Sequence, residues 1–164
     1  MFKDFFKNNL SSFITVFIIF FIDRVFKFYI IELAEQQIQL DIYLNEYLNI
    51  YLIWNKGIAF GLMSFNSSVI YNLITLMIVM VCIIILIMIT RFEGLKKYLV
   101  ALILGGALGN LFDRIYYGAV PDFIDLHFKS FHWFVFNIAD IFITIGIFCL
   151  IYVELFLENK KNEK

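Results

Sequence analysis

VIYNLITLMIVMVCIIILIMI, residues 69–89, decides the fold: it carries no charged side chain and closes at Arg91. At 1.5 Å per residue a helix of this length is about 30 Å long, the thickness of a bilayer's hydrocarbon core. The rest of the composition agrees. The chain has 164 residues, of which 62% are hydrophobic and 16% charged, with one proline. Soluble domains are about 45–50% apolar. Mean hydropathy is +0.86. A net charge of −1 offers nothing to attract nucleic acid. Cys82 and Cys149 each lie inside an apolar run with no CxxC or His-rich neighbour. They read as packing residues rather than a disulfide or zinc framework.

Working outward, three further stretches fit a membrane span, at about residues 12–33, 96–113 and 133–153. The expected architecture is therefore an all-α integral membrane protein, a bundle of four transmembrane helices forming a single domain over residues 1–164. Lys3 and Lys7 precede the apolar run 13–22 in the manner of a signal peptide, but no small-x-small cleavage site follows. The segment is expected to be a retained first helix. Orientation follows from the flanking lysines and arginines. Lys3, Lys7, Arg91, Lys96, Lys97, Lys160, Lys161 and Lys164 fall on one side, against Lys56, Arg114 and Lys129 on the other. Both termini are thus expected in the cytoplasm, with the two long connections outside. Between helices 1 and 2, apolar residues alternate with Gln39, Asp41 and Tyr43, then again at Leu48, Ile50 and Leu52. Period two predicts short strands, a small extracytoplasmic β platform. Tyr43, Tyr47, Tyr51, Trp54 and Trp133 suit the membrane–water boundary.

Polar groups at membrane depth cost several kcal/mol unless paired or hydrated, so each is a functional candidate. On the third helix Gly106, Asn110 and Asp113 or Arg114 recur at helical spacing, and Gly105 with Gly109 forms a GxxxG that admits a close neighbour. On the fourth, Asn137, Asp140 and Thr144 share a face. Placing its start near Trp133 puts Asp140 about 10 Å down that helix, within reach of water at the outer surface. Pro121 stiffens the preceding segment and presents Asp122 at the same boundary. Two carboxylates in one low-dielectric, water-accessible site hold one proton between them, the arrangement of an aspartic protease. A structural ion pair of Asp122 or Asp140 with Arg114 is the competing reading. Asp23 and Lys27 stand at i and i+4, where an ion pair can form, and Arg24 can snorkel toward the interface. His127 and His132 lie near Asp122 and Asp125, but with no HExxH or comparable spacing a metal is not expected.

In order along the chain, these residues resemble the bacterial lipoprotein signal peptidase (signal peptidase II) family. Asp23 and Lys27 match its first-helix Asp-x-x-x-Lys, and residues 55–60, Asn-Lys-Gly-Ile-Ala-Phe, its first-loop motif. Residues 105–114, 118–125 and 136–140 match the third-helix, following-loop and fourth-helix signatures. Arg24 and Pro121 depart from the pattern. The resemblance implies a catalytic pair of Asp122 and Asp140, and a substrate site lined by Asn55, Gly57, Asn110, Arg114, Asn137 and Ala139. Asp23, Lys27, Gly106, Asp113 and Asp125 would support that site. It implies removal of signal peptides from diacylglyceryl-modified prolipoproteins just before the lipidated cysteine, in the bacterial cytoplasmic membrane, near its extracytoplasmic face. Membrane lipids would be its surroundings and globomycin-type cyclic peptides its inhibitors, with no metal or organic cofactor. The residues alone also admit a small proton- or ion-coupled transporter using Asp23, Asp122 and Asp140 as relay carboxylates, or a non-catalytic lipid-binding subunit.

Overall fold

The computed structural model describes residues 2–36, 40–57, 68–129 and 131–158. Ile38 and Gln39 of the first predicted strand, residues 58–60 of the first-loop motif, and Lys160, Lys161 and Lys164 lie outside them. The chain is mostly helical: α1 (Phe2–Gln36), α2 (Ser68–Arg91), α3 (Gly94–Tyr116) and α4 (Ile138–Tyr152), which continues as a wider helical turn over Val153–Glu158. Val69–Arg91, Gly94–Tyr116 and Ile138–Leu157 are long and apolar enough to cross a membrane. Strands β1 (Asp41–Asn45), β2 (Leu48–Asn55), β3 (Val120–Phe128) and β4 (Phe131–Phe136) form one antiparallel sheet in chain order.

The organising helix is α3. Half of its apolar window is buried, against 11% for α2 and α4, and it packs against all three other helices. Its sequence explains this. A Cβ on Gly105 would lie 2.7 Å from Ile19 Cβ and one on Gly106 2.6 Å from the Ala139 carbonyl oxygen, so the two glycines admit α1 and α4 at backbone contact. Elsewhere α3 offers Val100, Ala101, Leu104 and Leu111 to Val16, Cys82 and Ile89, the apolar core shared with α1 and α2. The other faces of α2 and α4 stay apolar and exposed, with Leu76, Met80, Ile84, Phe148 and Ile151 turned outward. For water that surface would be a liability, and for lipid it is the required finish.

Two sequence expectations change. The platform does not come from the first connection alone: β3 and β4, contributed between α3 and α4, make up half of the sheet. The run from Trp133 to Phe136 is strand rather than the opening turns of the fourth helix, which begins at Ile138. Hydrophobicity alone misleads there, because Phe131, Trp133 and Phe134 are apolar yet exposed on an edge strand. The reason for the late start is local. Asn137 is extended and caps α4 by accepting the Asp140 N–H at 3.2 Å, while the Asp140 carboxylate accepts the Asn137 N–H at 3.1 Å. Asp140 therefore sits in the first helical turn, not 10 Å down the helix.

Candidate active site

The strand-to-helix junction that caps α4 also gathers the carboxylates. Asn137 is fully buried, and its amide donates to Asp122 Oδ1 at 2.6 Å while its own oxygen holds the Asp140 N–H. One asparagine thus ties a strand aspartate to a helix aspartate. Asp122 is carried by β3, where it pairs with Ile53 of β2, and the next residues along β2 bring Asn55 close enough to donate to Asp122 Oδ2 at 2.9 Å. Asn55 accepts in turn from the Gly57 N–H at 3.0 Å, and Arg114 donates to the Gly57 carbonyl at 3.1 Å. From the other side Asn110 of α3 donates to Asp140 Oδ1 at 2.8 Å.

Behind Asn110 lies a buried ion cluster. Lys27 donates to Asn110 Oδ1 at 2.8 Å and to Asp113 at 2.6 Å, and stands 3.1 Å from Asp23. Arg24 bridges Asp23 at 2.6 Å and grips both oxygens of Asp113. Asp23 also accepts the Ala139 N–H at 3.0 Å, fastening the start of α4 to α1. Two cations and two anions cancel, the condition under which such groups tolerate burial. Arg24 does not snorkel outward; its guanidinium is held within this cluster and lies 4.9 Å from the Phe112 ring centre. Asp113 is the residue that completes the cluster from α3. Arg114 pairs with neither Asp122 nor Asp140. Its described partner is Gly57, with Tyr71 donating to the Arg114 carbonyl at 2.9 Å, so the ion-pair alternative has no geometric support.

Of the residues singled out in the sequence, Asn55, Gly57, Asn110, Asp122, Asn137, Ala139 and Asp140 converge here, with Asp23, Lys27 and Asp113 behind them. Gly106 contacts Ala139 and so sets the α3–α4 spacing. Asp125 does not join: it lies among His127 and His132. Beside Asp140 opens an apolar groove of about 380 Å³, walled by Trp133, Phe134, Phe136, Ile141, Thr144 and Ile145. The groove gives an apolar approach to Asp140, one of the two carboxylates.

A model of the family described as Signal peptidase (SPase) II matches residues 15–156. The chain belongs to the signal peptidase II family. It is 57% identical over 159 residues to the lipoprotein signal peptidase of Pelagibacter ubique (strain HTCC1062), covering 96% of each chain. It is 34% identical to that of Anaplasma phagocytophilum (strain HZ), covering 95% of this chain and 99% of the other. A solved bacterial membrane enzyme superposes with a TM-score of 0.70 at 30% identity, over 94% of this chain and 92% of its own. This signal peptidase II family member is accordingly a protease, and with its apolar helices a bacterial membrane protein.

The electrostatics of this family member's β3 aspartate are unusual. Burial raises the Asp122 pKa from 3.8 to about 6, against the lowering effect of the Asn55 hydrogen bond and with a further push from the Asp140 charge. A carboxyl whose pKa rises on folding binds its proton more tightly in the native state. Its stabilising contribution is therefore full below pH 3.8 and is lost as pH climbs through about 6. The whole difference is about 3 kcal/mol. Thermal unfolding of wild type should lose ground to Asp122→Asn between about pH 4 and pH 7. A stability gap independent of pH would show that Asp122 titrates as an ordinary carboxyl.

Proposed function

We propose that this chain is an intramembrane aspartic endopeptidase that removes signal peptides from diacylglyceryl-modified prolipoproteins, cutting just before the lipidated cysteine. The observation that carries the reading is the bridge Asp122–Asn137–Asp140: one asparagine donates to the strand carboxylate through its side-chain amide and to the helix carboxylate through its backbone N–H. Two such groups share one proton. The ionised member takes a proton from water while the protonated member polarises the scissile carbonyl, so a tetrahedral intermediate forms and collapses toward the amine. Asn55 donates to Asp122 Oδ2 and Asn110 to Asp140 Oδ1, which orients the two carboxylates. Arg114, Gly57 and Ala139 would line the substrate chain, and the groove beside Asp140 would take an acyl chain or the apolar signal segment. No metal or organic cofactor is needed for this chemistry. Globomycin-type peptides would inhibit by occupying the same place.

The same reading makes residues 1–164 a single membrane domain crossing the bilayer four times. Helix α1 is 35 residues long and its three mid-helix charges are matched by Asp113, which makes a fourth crossing electrostatically tolerable. Both termini would be cytoplasmic and the sheet extracytoplasmic, in the bacterial cytoplasmic membrane. A transporter needs a polar route onward from the carboxylates, whereas the core that α3 shares with α1 and α2 is built of apolar residues such as Val16, Val100 and Leu104.

The test is direct. The purified chain in detergent should shorten a diacylglyceryl-modified prolipoprotein by the mass of its signal peptide. Its unlipidated counterpart should be cut far more slowly, and globomycin should stop the reaction. No mass change with the lipidated substrate would end this reading and bring transport or lipid binding forward.

A further inference from the structure

Asp125 lies three residues beyond Asp122 on β3, and that odd separation turns it to the other face of the strand. There it meets two imidazoles. His127 follows on the same strand, and His132 is its direct partner across β4. The two rings stack with centres 5.1 Å apart, and their Nδ1 atoms lie 3.4 Å and 2.9 Å from Asp125 Oδ2. Donors bound to one ion at about 2.0–2.2 Å in tetrahedral geometry stand about 3.3 Å apart, so Asp125 Oδ2 is already near coordination spacing from each imidazole, and ligand atoms of the three residues all lie within 4.8 Å of one another. A second observation points to a ligand. Asp125 Oδ1, His127 Nδ1 and Asn49 Oδ1 are all buried without a hydrogen-bond partner, and Asn49 is the register partner of Asp125 on β2. Asp125 is fully buried and the His127 side chain is 9% exposed. Buried polar atoms without a partner are costly in a folded chain, and a cation bound between Asp125 and His127 would satisfy theirs.

We propose that Asp125, His127 and His132 form a site for one divalent transition-metal ion of the zinc class, clipping β3 to β4. Two imidazoles and a carboxylate are borderline donors that suit such an ion better than calcium or magnesium. With three side-chain ligands, the fourth position is left to the Asn49 amide oxygen or to water. The clip would stiffen the hairpin that carries Asp122 at one end and runs into Asn137 at the other. It touches neither Asp122 nor Asp140, so it stands whether or not those residues cleave peptides. The spacing Asp-x-His-x-x-x-x-His hides it from a motif search, because His132 meets His127 only through the strand register.

The full-length chain, free of any polyhistidine tag, would be stripped with chelator in detergent and titrated with Co²⁺ alone as a spectroscopic stand-in for zinc. Expected are one equivalent bound, a visible d–d absorption band and a raised thermal-unfolding midpoint. Outer-sphere partners of metal ligands already change affinity about 10–100-fold, so His132→Ala, which removes a ligand, should weaken binding on the order of 100-fold or more. The His132 side chain is 54% exposed, so this variant keeps its core intact; His127→Gln supplies a second reading of the same kind. If wild type binds no Co²⁺, or both histidine variants bind as tightly as wild type, the site does not exist and Asp125 is simply hydrogen-bonded to an imidazole. Binding abolished by Asp122→Asn but untouched by His132→Ala would place the ion at the other carboxylates and equally overturn the proposal.

Discussion

Asp140→Asn and Asp122→Asn should each lower the rate of prolipoprotein cleavage at least about 10³-fold while leaving the chain folded. Positioned acid–base groups contribute about 10²–10⁴-fold each, and in the proposed mechanism one proton is shared by the pair, so losing either member would disable both roles. The folded state will notice the change only modestly. Each carboxylate accepts two donors: Asn137 and Asn55 at Asp122, Asn110 and the Asn137 N–H at Asp140. An asparagine keeps the shape but must turn its own NH₂ toward one of those donors, at a cost of about 1–3 kcal/mol. Single-turnover rates by mass spectrometry, beside thermal unfolding of the same samples, separate the two effects. A variant that folds and retains more than about a tenth of the wild-type rate would remove its aspartate from the chemistry.

How much of this was legible before the fold is best seen residue by residue. The membrane class followed from residues 69–89 alone, because an uncharged apolar run of that length has few other uses. Asp122, Asp140, Asn110 and Asn137 stood out because lipid penalises them. What the sequence could not tell was how these groups meet. Asn137 shows as one more polar residue on a helix face, whereas in the fold it precedes α4 and joins both aspartates through its single amide. That role depends on where the helix starts, and the aromatic run before it reads equally as strand or helix, since an apolar strand on the rim of a sheet mimics a membrane face. Arg24 is misread for a similar reason: helical spacing shows what neighbours it on α1 but not that Asp113 arrives from α3. Asp125, His127 and His132 stand near one another in the sequence without a ligand motif, and only the strand register brings His132 opposite His127.

The second large effect concerns the ion cluster behind Asn110. Lys27→Met should destabilise the chain by about 3–5 kcal/mol, the usual cost of stranding a buried charge. Lys27 is 1% exposed and contacts Asp23, Asp113 and Asn110. Without it, two fully buried carboxylates face one guanidinium, and the cluster carries an uncompensated negative charge. Adding Asp113→Asn to Lys27→Met restores neutrality, with one cation against one anion, and should recover a substantial part of the loss. That non-additivity is the signature of a charge-balanced network rather than of lost packing, since the introduced methionine fills much the same space in the single and the double variant. Activity should fall further than stability explains, because Lys27 holds the oxygen of Asn110 and so aims its NH₂ group at Asp140. Unfolding in detergent across the four members of the cycle measures the balance. If Lys27→Met costs under about 1 kcal/mol, or the double variant is no better than the single, the cluster is hydrated and its neutrality is not what allows α1 to lie among the membrane helices.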